Sequence, residues 1–398
     1  MSMEETIAEV RPEKRPSPGA EPKNGNGRVL LRKFLSLFDS STGEYYRPGL
    51  ERLRLVLMFF MCIDLWGFPT AAGRLVQQLC GFAPIAFFIL SGYLVLRESE
   101  HRSARIVRSI KRTAIVFAAL LVVYSVISLT PYLLSGVNIL PAFASKRLWF
   151  NFIVLNLWPF EVGSAIWYVQ ALLYAYIIIY FLDKWKLLKY DWLISVILIL
   201  FTVVTGELCG LIPWNWHGYT YIPGGFLTRA LPYVLLGGFL HRKMGRLLRV
   251  PKKWYIVMVF AGIILMILEI FLLGYLGVPG YYGHLIGMPV AAVAVCMLAF
   301  NNARFSGAEK HLNMSRWHIN GIYYLCQPVG TYLVFLMARM GEDALLELFG
   351  CLGLFTFLLC FCIMWLVALI GRGMRRTGRK HGKKNYSRRN PDRDPHAV

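Results

Sequence analysis

The chain is built from long apolar blocks separated by short polar breaks. The blocks fall at residues 53–69, 76–96, 113–135, 165–183, 192–213, 225–241, 254–276, 284–300, 317–340 and 345–371. A stretch of about 20 apolar residues, rising about 1.5 Å per residue, crosses the roughly 30 Å hydrocarbon layer of a bilayer. The pattern therefore predicts an all-α, polytopic integral membrane protein with about ten transmembrane helices. Neither a short repeat nor a matched pair of broken half-helices interrupts it. A polar stretch over 1–46 precedes the blocks and a basic tail over 372–398 follows them, and both are expected to be disordered.

The breaks carry a direction. Lys and Arg crowd the segments 97–112 (RESEHRSARIVRSIKR), 184–189 (KWKLLK) and 242–253 (RKMGRLLRVPKK), as well as the tail. The intervening breaks at 70–75, 214–224, 277–283 and 341–344 are nearly free of both. By the positive-inside rule the basic side is cytoplasmic, which places both termini inside a cell membrane crossed many times. Lys146 and Arg147 are the exception, in a longer outer loop whose SKRLWFNFIVLNLWPF segment suits an amphipathic helix at the interface or a re-entrant piece.

Composition sharpens this picture. The chain is 57% hydrophobic and 16% charged, against roughly 25% charged in soluble proteins. Its net charge of +21 would suit nucleic acid, but the charge sits in tails and alternate loops, so membrane lipids are the expected partner and nucleic acid is not. The basic run from Arg372 to Arg393 suits anionic headgroups or serves as a topology signal. The eight cysteines lie in or beside apolar blocks without metal-ligand spacing and read as small packing residues, so no metal is expected. No phosphate-cradling GxxxxGK[ST], no GxGxxG before a helix and no HExxH is present.

Ionisable residues inside spans cost about 2.5–3.5 kcal/mol each at the helix centre and call for a reason. Asp64, Glu207, Arg229 and Glu269 all fall in the outer halves of their predicted helices. Similar depth suggests a polar cavity open to the outside; mutual pairing or snorkelling is the alternative. On the inner side Arg105, Arg108 and Arg112 recur at helical spacing along one face. Guanidinium forks in a row suit a polyphosphate, although the same residues also serve as ordinary flanking charge. Trp214, Trp216, Tyr219 and Tyr221 in one outer loop, with Tyr281 and Tyr282 in the next, suit either stacking on sugar rings or an interfacial aromatic belt.

Five segments, in order, resemble the membrane acyltransferase-3 family. They are Phe87–Leu94 (FFILSGYL), the Arg105-to-Arg112 run, Ile166–Leu172 (IWYVQAL), Thr228–Gly238 (TRALPYVLLGG) and Ile322–Pro328 (IYYLCQP). The resemblance spans about residues 47–371 and implies transfer of an acyl group, usually acetyl. The donor would be a cytoplasmic acyl-CoA, a co-substrate rather than a bound cofactor. The acceptor would be a sugar hydroxyl of an envelope polysaccharide or a lipid-linked precursor. It implies a donor-phosphate site at Arg105, Arg108 and Arg112 on the inside and an acceptor on the outside, where Glu207, Arg229, Glu269, Trp167, Trp214 and Trp216 are the expected cavity residues.

One departure stands out. The family carries an Arg, ten residues and then a His in its first span, the His serving as base. Here Arg52 is followed at that distance by Ile63, with Asp64 beside it, and Gln327 replaces the histidine of the fifth segment. Asp64 is therefore the candidate base, Arg52 its companion, and His217 and His284 are the other outer candidates. Two further readings stay open: an inactive acyltransferase-like protein in glycopolymer assembly or export, and a small-solute transporter.

Overall fold

A computed structural model describes residues 48–66, 71–98, 101–134, 145–154, 156, 166–205, 225–277, 284–301, 316–340 and 352–389. Every regular element among them is helical. In chain order these are α1 (Pro48–Trp66), α2 (Ala71–Cys80), α3 (Phe82–Val95), α4 (Arg102–Leu134), α5 (Lys146–Ile153), α6 (Ile166–Lys184), a 3₁₀ turn (Leu187–Tyr190) and α7 (Asp191–Thr205). There follow α8 (Phe226–Arg229), α9 (Leu231–Leu247), α10 (Lys252–Tyr275), α11 (Gly287–Asn301), α12 (Arg316–Met340) and α13 (Leu352–Arg389).

Each apolar block overlaps a helix, or two helices joined at a single residue. Among the described residues, six helical stretches meet the length and hydropathy needed to cross a membrane: Ala72–Val95, Arg102–Thr130, Ile166–Lys184, Leu187–Thr205, Lys252–Tyr275 and Leu352–Ile370. The chain is an all-α, multi-pass membrane protein. Two boundaries depart furthest from expectation. Helix α4 begins at Arg102, well before its apolar block opens at residue 113, because the Arg-rich entry winds continuously into the span. Helix α13 runs on to Arg389, through most of the expected tail.

The packing separates a protein-facing core from a lipid-facing rim. Helix α3 is buried along nearly its whole length, from Phe82 to Leu90 and again at Gly92, Tyr93 and Val95. Helix α10 behaves differently: Val257, Phe260, Ile264, Leu268 and Phe271 are exposed on one face while Tyr255, Gly262, Met266 and Leu273 are buried on the other. A helix apolar all round, with one apolar face left uncovered, is suited to lipid.

Helices in lipid gain little from the hydrophobic effect on associating, so close packing of small residues does much of the work. The α3–α9 pair uses it twice. A Cβ on Gly92 would overlap the Val234 carbonyl, and one on Gly237 would overlap the Ile89 carbonyl. The glycines of the FFILSGYL and LLGG segments thus face each other's backbones. In α12, Pro328 has no N–H to offer the carbonyl of Tyr324 one turn earlier. Tyr124 of α4 fills that vacancy, its hydroxyl donating to the Tyr324 carbonyl at 2.5 Å. Helix α5 carries Trp149 and Phe150 exposed and Phe152 buried, as an amphipathic interfacial segment requires.

Two ends of the bundle are chemically distinct. At one end, Arg102 at the start of α4 pairs with Asp183 near the end of α6 at 2.6 Å, and the Ser103 hydroxyl donates to the same carboxylate at 2.5 Å. Arg242 of α9 pairs with the buried Asp191 of α7 and lies 3.7 Å from Glu98, just past α3. These contacts gather the basic ends of α3, α4, α6, α7 and α9. The opposite ends of α3 and α6 come together with the end of α1, with α8 and with the start of α11 around a pocket.

Candidate functional site

The pocket forms where helices end. Asp64 enters it from the last turn of α1, Trp167 from the first turn of α6, Arg229 from α8 and His284 from the segment leading into α11. Its apolar wall comes from the first turns of α3, with Ile85 and Phe88, and from Met288 of α11. Helix length and polarity explain the convergence. Each of these polar residues lies at or near an end of its helix or just outside it, so the ends that meet bring them together.

Within the pocket the Arg229 guanidinium lies over the Trp167 ring, 5.6 Å from its centroid, a distance that favours cation–π attraction. Phe88 stacks on Tyr168 at 4.6 Å and meets Trp167 edge-on at 6.1 Å, which fixes the wall. Two hydrogen bonds hold the α1 terminus: the Gln77 side chain donates to the Asp64 carbonyl at 2.7 Å, and the Trp66 indole donates to the Cys326 carbonyl at 3.2 Å. His284 sits in the connection before α11, outside the helix itself. Burial first, and the Arg229 charge second, hold its imidazole well below the usual histidine range. A neutral imidazole beside a carboxylate and a guanidinium can take a proton from a hydroxyl and stabilise negative charge on a neighbouring oxygen.

The structure thus brings together Asp64, Arg229, Trp167 and His284, four of the residues singled out from sequence. Glu269 stands outside the pocket wall. Its two carboxylate oxygens accept the backbone N–H groups of Ile286 and Gly287, each at 3.0 Å, so it caps the start of α11 from the neighbouring helix. Glu207, Trp214, Trp216 and His217 lie outside the described residues.

Arg52 is placed elsewhere. It lies twelve positions before Asp64 on α1, about 18 Å along the axis, and its Nη2 is buried without a hydrogen-bond partner among the described residues. The arginine that α1 buries in the core is Arg54, which acts electrostatically on Tyr168 and Tyr176 where both meet Ser91. Counting ten intervening residues from Arg54 reaches Leu65 rather than Ile63, and Asp64 adjoins both positions. Nothing in the pattern of α1 distinguishes which arginine is buried. Gln327 is buried in α12 and does not line the pocket.

At the basic end Arg105, Arg108 and Arg112 occupy one side of α4. The Arg105 guanidinium donates to the Arg97 carbonyl at 3.0 Å, Arg108 is exposed and Arg112 is half-buried. Arg102, one turn earlier, is held in the ion pair with Asp183. Among the described residues no group of three His, Cys, Asp or Glu side chains is placed to hold a metal ion.

A multi-helix membrane protein with a polar pocket at one end and an arginine face at the other suits a membrane-embedded group-transfer enzyme. The chain belongs to the acyltransferase-3 family, whose sequence profile, described as an acyltransferase domain, matches residues 47–376. No curated protein and no solved structure matches the chain.

Proposed function

We propose that this membrane acyltransferase moves an acyl group, acetyl by the family resemblance, from cytoplasmic acyl-CoA to a hydroxyl of an envelope polysaccharide or lipid-linked sugar. The observation that carries the reading is the pocket: a carboxylate, an imidazole and a guanidinium converge with a tryptophan face at the end of the bundle opposite the arginine cluster. Acyl transfer to an alcohol needs a base for the hydroxyl proton and positive charge for the oxyanion of the tetrahedral intermediate. Asp64 and His284 supply the first and Arg229 the second. The Trp167 face, partly covered by Arg229, offers an apolar surface for a sugar ring.

Donor and acceptor then occupy different ends. Arg105, Arg108 and Arg112 bind the donor phosphates on the cytoplasmic side, and the thioester reaches inward along α3. The distance from Gly81 to Leu96 along that helix is roughly 22 Å, which an extended carrier arm must span. Both chain termini are cytoplasmic in this arrangement.

The test is Asp64→Asn, which keeps the shape and removes the charge. Label from acetyl-CoA is followed into the glycan fraction of membranes bearing the protein. The expected result is at least a tenfold loss of transfer with coenzyme A binding intact. Unchanged transfer would remove Asp64 from the reacting centre. A parent that binds coenzyme A but transfers nothing would instead favour an inactive acyltransferase-like role in glycopolymer assembly, the reading that the missing first-span histidine supports.

A further inference from the structure

We propose that His284 is the group that takes the acceptor proton in this pocket, and that Glu269 positions it. The inference deepens the acyl-transfer reading and rests on it.

Two pocket side chains can accept a proton, Asp64 and His284, and Arg229 shares the pocket with both. Burial first, and the Arg229 charge second, oppose protonation of the imidazole at rest, which keeps a nitrogen lone pair available. A carboxylate is ordinarily the weaker base of the two. Asp64 is then better placed to balance the imidazolium that forms during reaction, as carboxylates do beside catalytic histidines.

The step closes without further reagents. The acceptor oxygen attacks the thioester carbonyl carbon, and its proton passes to His284 as the new C–O bond forms. Arg229 faces the oxyanion. Collapse of the intermediate breaks the C–S bond, and His284 returns the proton to the departing sulfur. An ester, a free thiol and a neutral imidazole remain.

Histidine at a chain connection needs support, since no helix continues through it. Glu269 provides it from α10, with both carboxylate oxygens engaged on the N–H groups two and three residues beyond His284. Close packing locks the same segment: a Cβ on Gly287 would lie 2.6 Å from Met266 Cγ and 2.7 Å from Met266 N. Leu285, adjoining His284, is 3% exposed and anchors the turn in the core. Glu269 touches the connection rather than the pocket, so it is a positioning residue.

The test uses full-length protein in membranes with labelled acetyl-CoA, reading label in the glycan fraction and coenzyme A binding in parallel. His284→Ala should lower transfer about 10²–10⁴-fold, the range of a general base, with coenzyme A binding retained. Added imidazole should restore a measurable part of the rate. Glu269→Gln should lower kcat about tenfold at constant donor KM in the parent. In the His284→Ala background it should leave the imidazole-supported rate unchanged, because no side chain remains to be positioned. A Glu269→Gln loss that persists there would overturn the positioning role. Parent-like transfer by His284→Ala, or a loss that imidazole does not relieve, overturns the assignment of the proton while leaving the acyl-transfer reading intact. A parent without turnover overturns both.

Discussion

A single hydroxyl illustrates how this fold answers its own local defects. Pro328 leaves the Tyr324 carbonyl unserved inside α12, and an unserved carbonyl in a membrane interior is costly. Tyr124 meets it from α4. Tyr124→Phe keeps the ring and removes the donor, so it should cost about 1–2 kcal/mol of stability, at the upper end for polar contacts between membrane helices. A melting curve in detergent would read this, and a parent-like midpoint would show that another donor serves the carbonyl. The same scale marks what sequence can and cannot reveal. Asp64 and Arg229 are legible because charge inside an apolar block is rare. His284 and Glu269 come together only through the fold of one connection, because they lie on different elements that no single helix carries. Choosing between Arg52 and Arg54 turns on two residues of register, which composition cannot resolve.

At the level of elements, helix α4 carries the clearest division of labour. Its first turns hold the arginines, and its later turns present Tyr124 to α12. Arg105→Ala, Arg108→Ala and Arg112→Ala should each weaken coenzyme A binding by about 1–3 kcal/mol, as loss of a charge-assisted contact does. The losses should shrink as salt rises. Arg105 has a second partner in the Arg97 carbonyl, so its substitution should also loosen the start of the helix, whereas Arg108 should affect binding alone. If the triple variant binds coenzyme A like the parent in a calorimetric titration, the donor lies elsewhere. Helix existence is readable at every apolar block, because block length and bilayer thickness set the same scale. Helix ends are less readable: α4 and α13 continue into basic sequence, since Lys and Arg are good helix formers wherever nothing interrupts them.

For the whole molecule, the basic ends of α3, α4, α6, α7 and α9 gather through ion pairs on one side, and the pocket lies on the other. The proposed orientation, with the basic side cytoplasmic, makes position 219 reachable from outside. A Tyr219→Cys variant in a cysteine-free background should react with a membrane-impermeant thiol reagent in intact cells. Reaction only after permeabilisation would invert the orientation and put the pocket on the cytoplasmic side.

The backbone contact between α3 and α9 has a consequence for how the protein is made. Gly92 leaves the ribosome long before Gly237, and the Val234 backbone it packs against is absent until α9 has been synthesised. The central helix must therefore wait in the membrane with its most intimate seam unfilled. During that interval it is a natural client for whatever shelters half-assembled helices at the translocon, and chains truncated before residue 231 should be recognised there as unfinished and degraded.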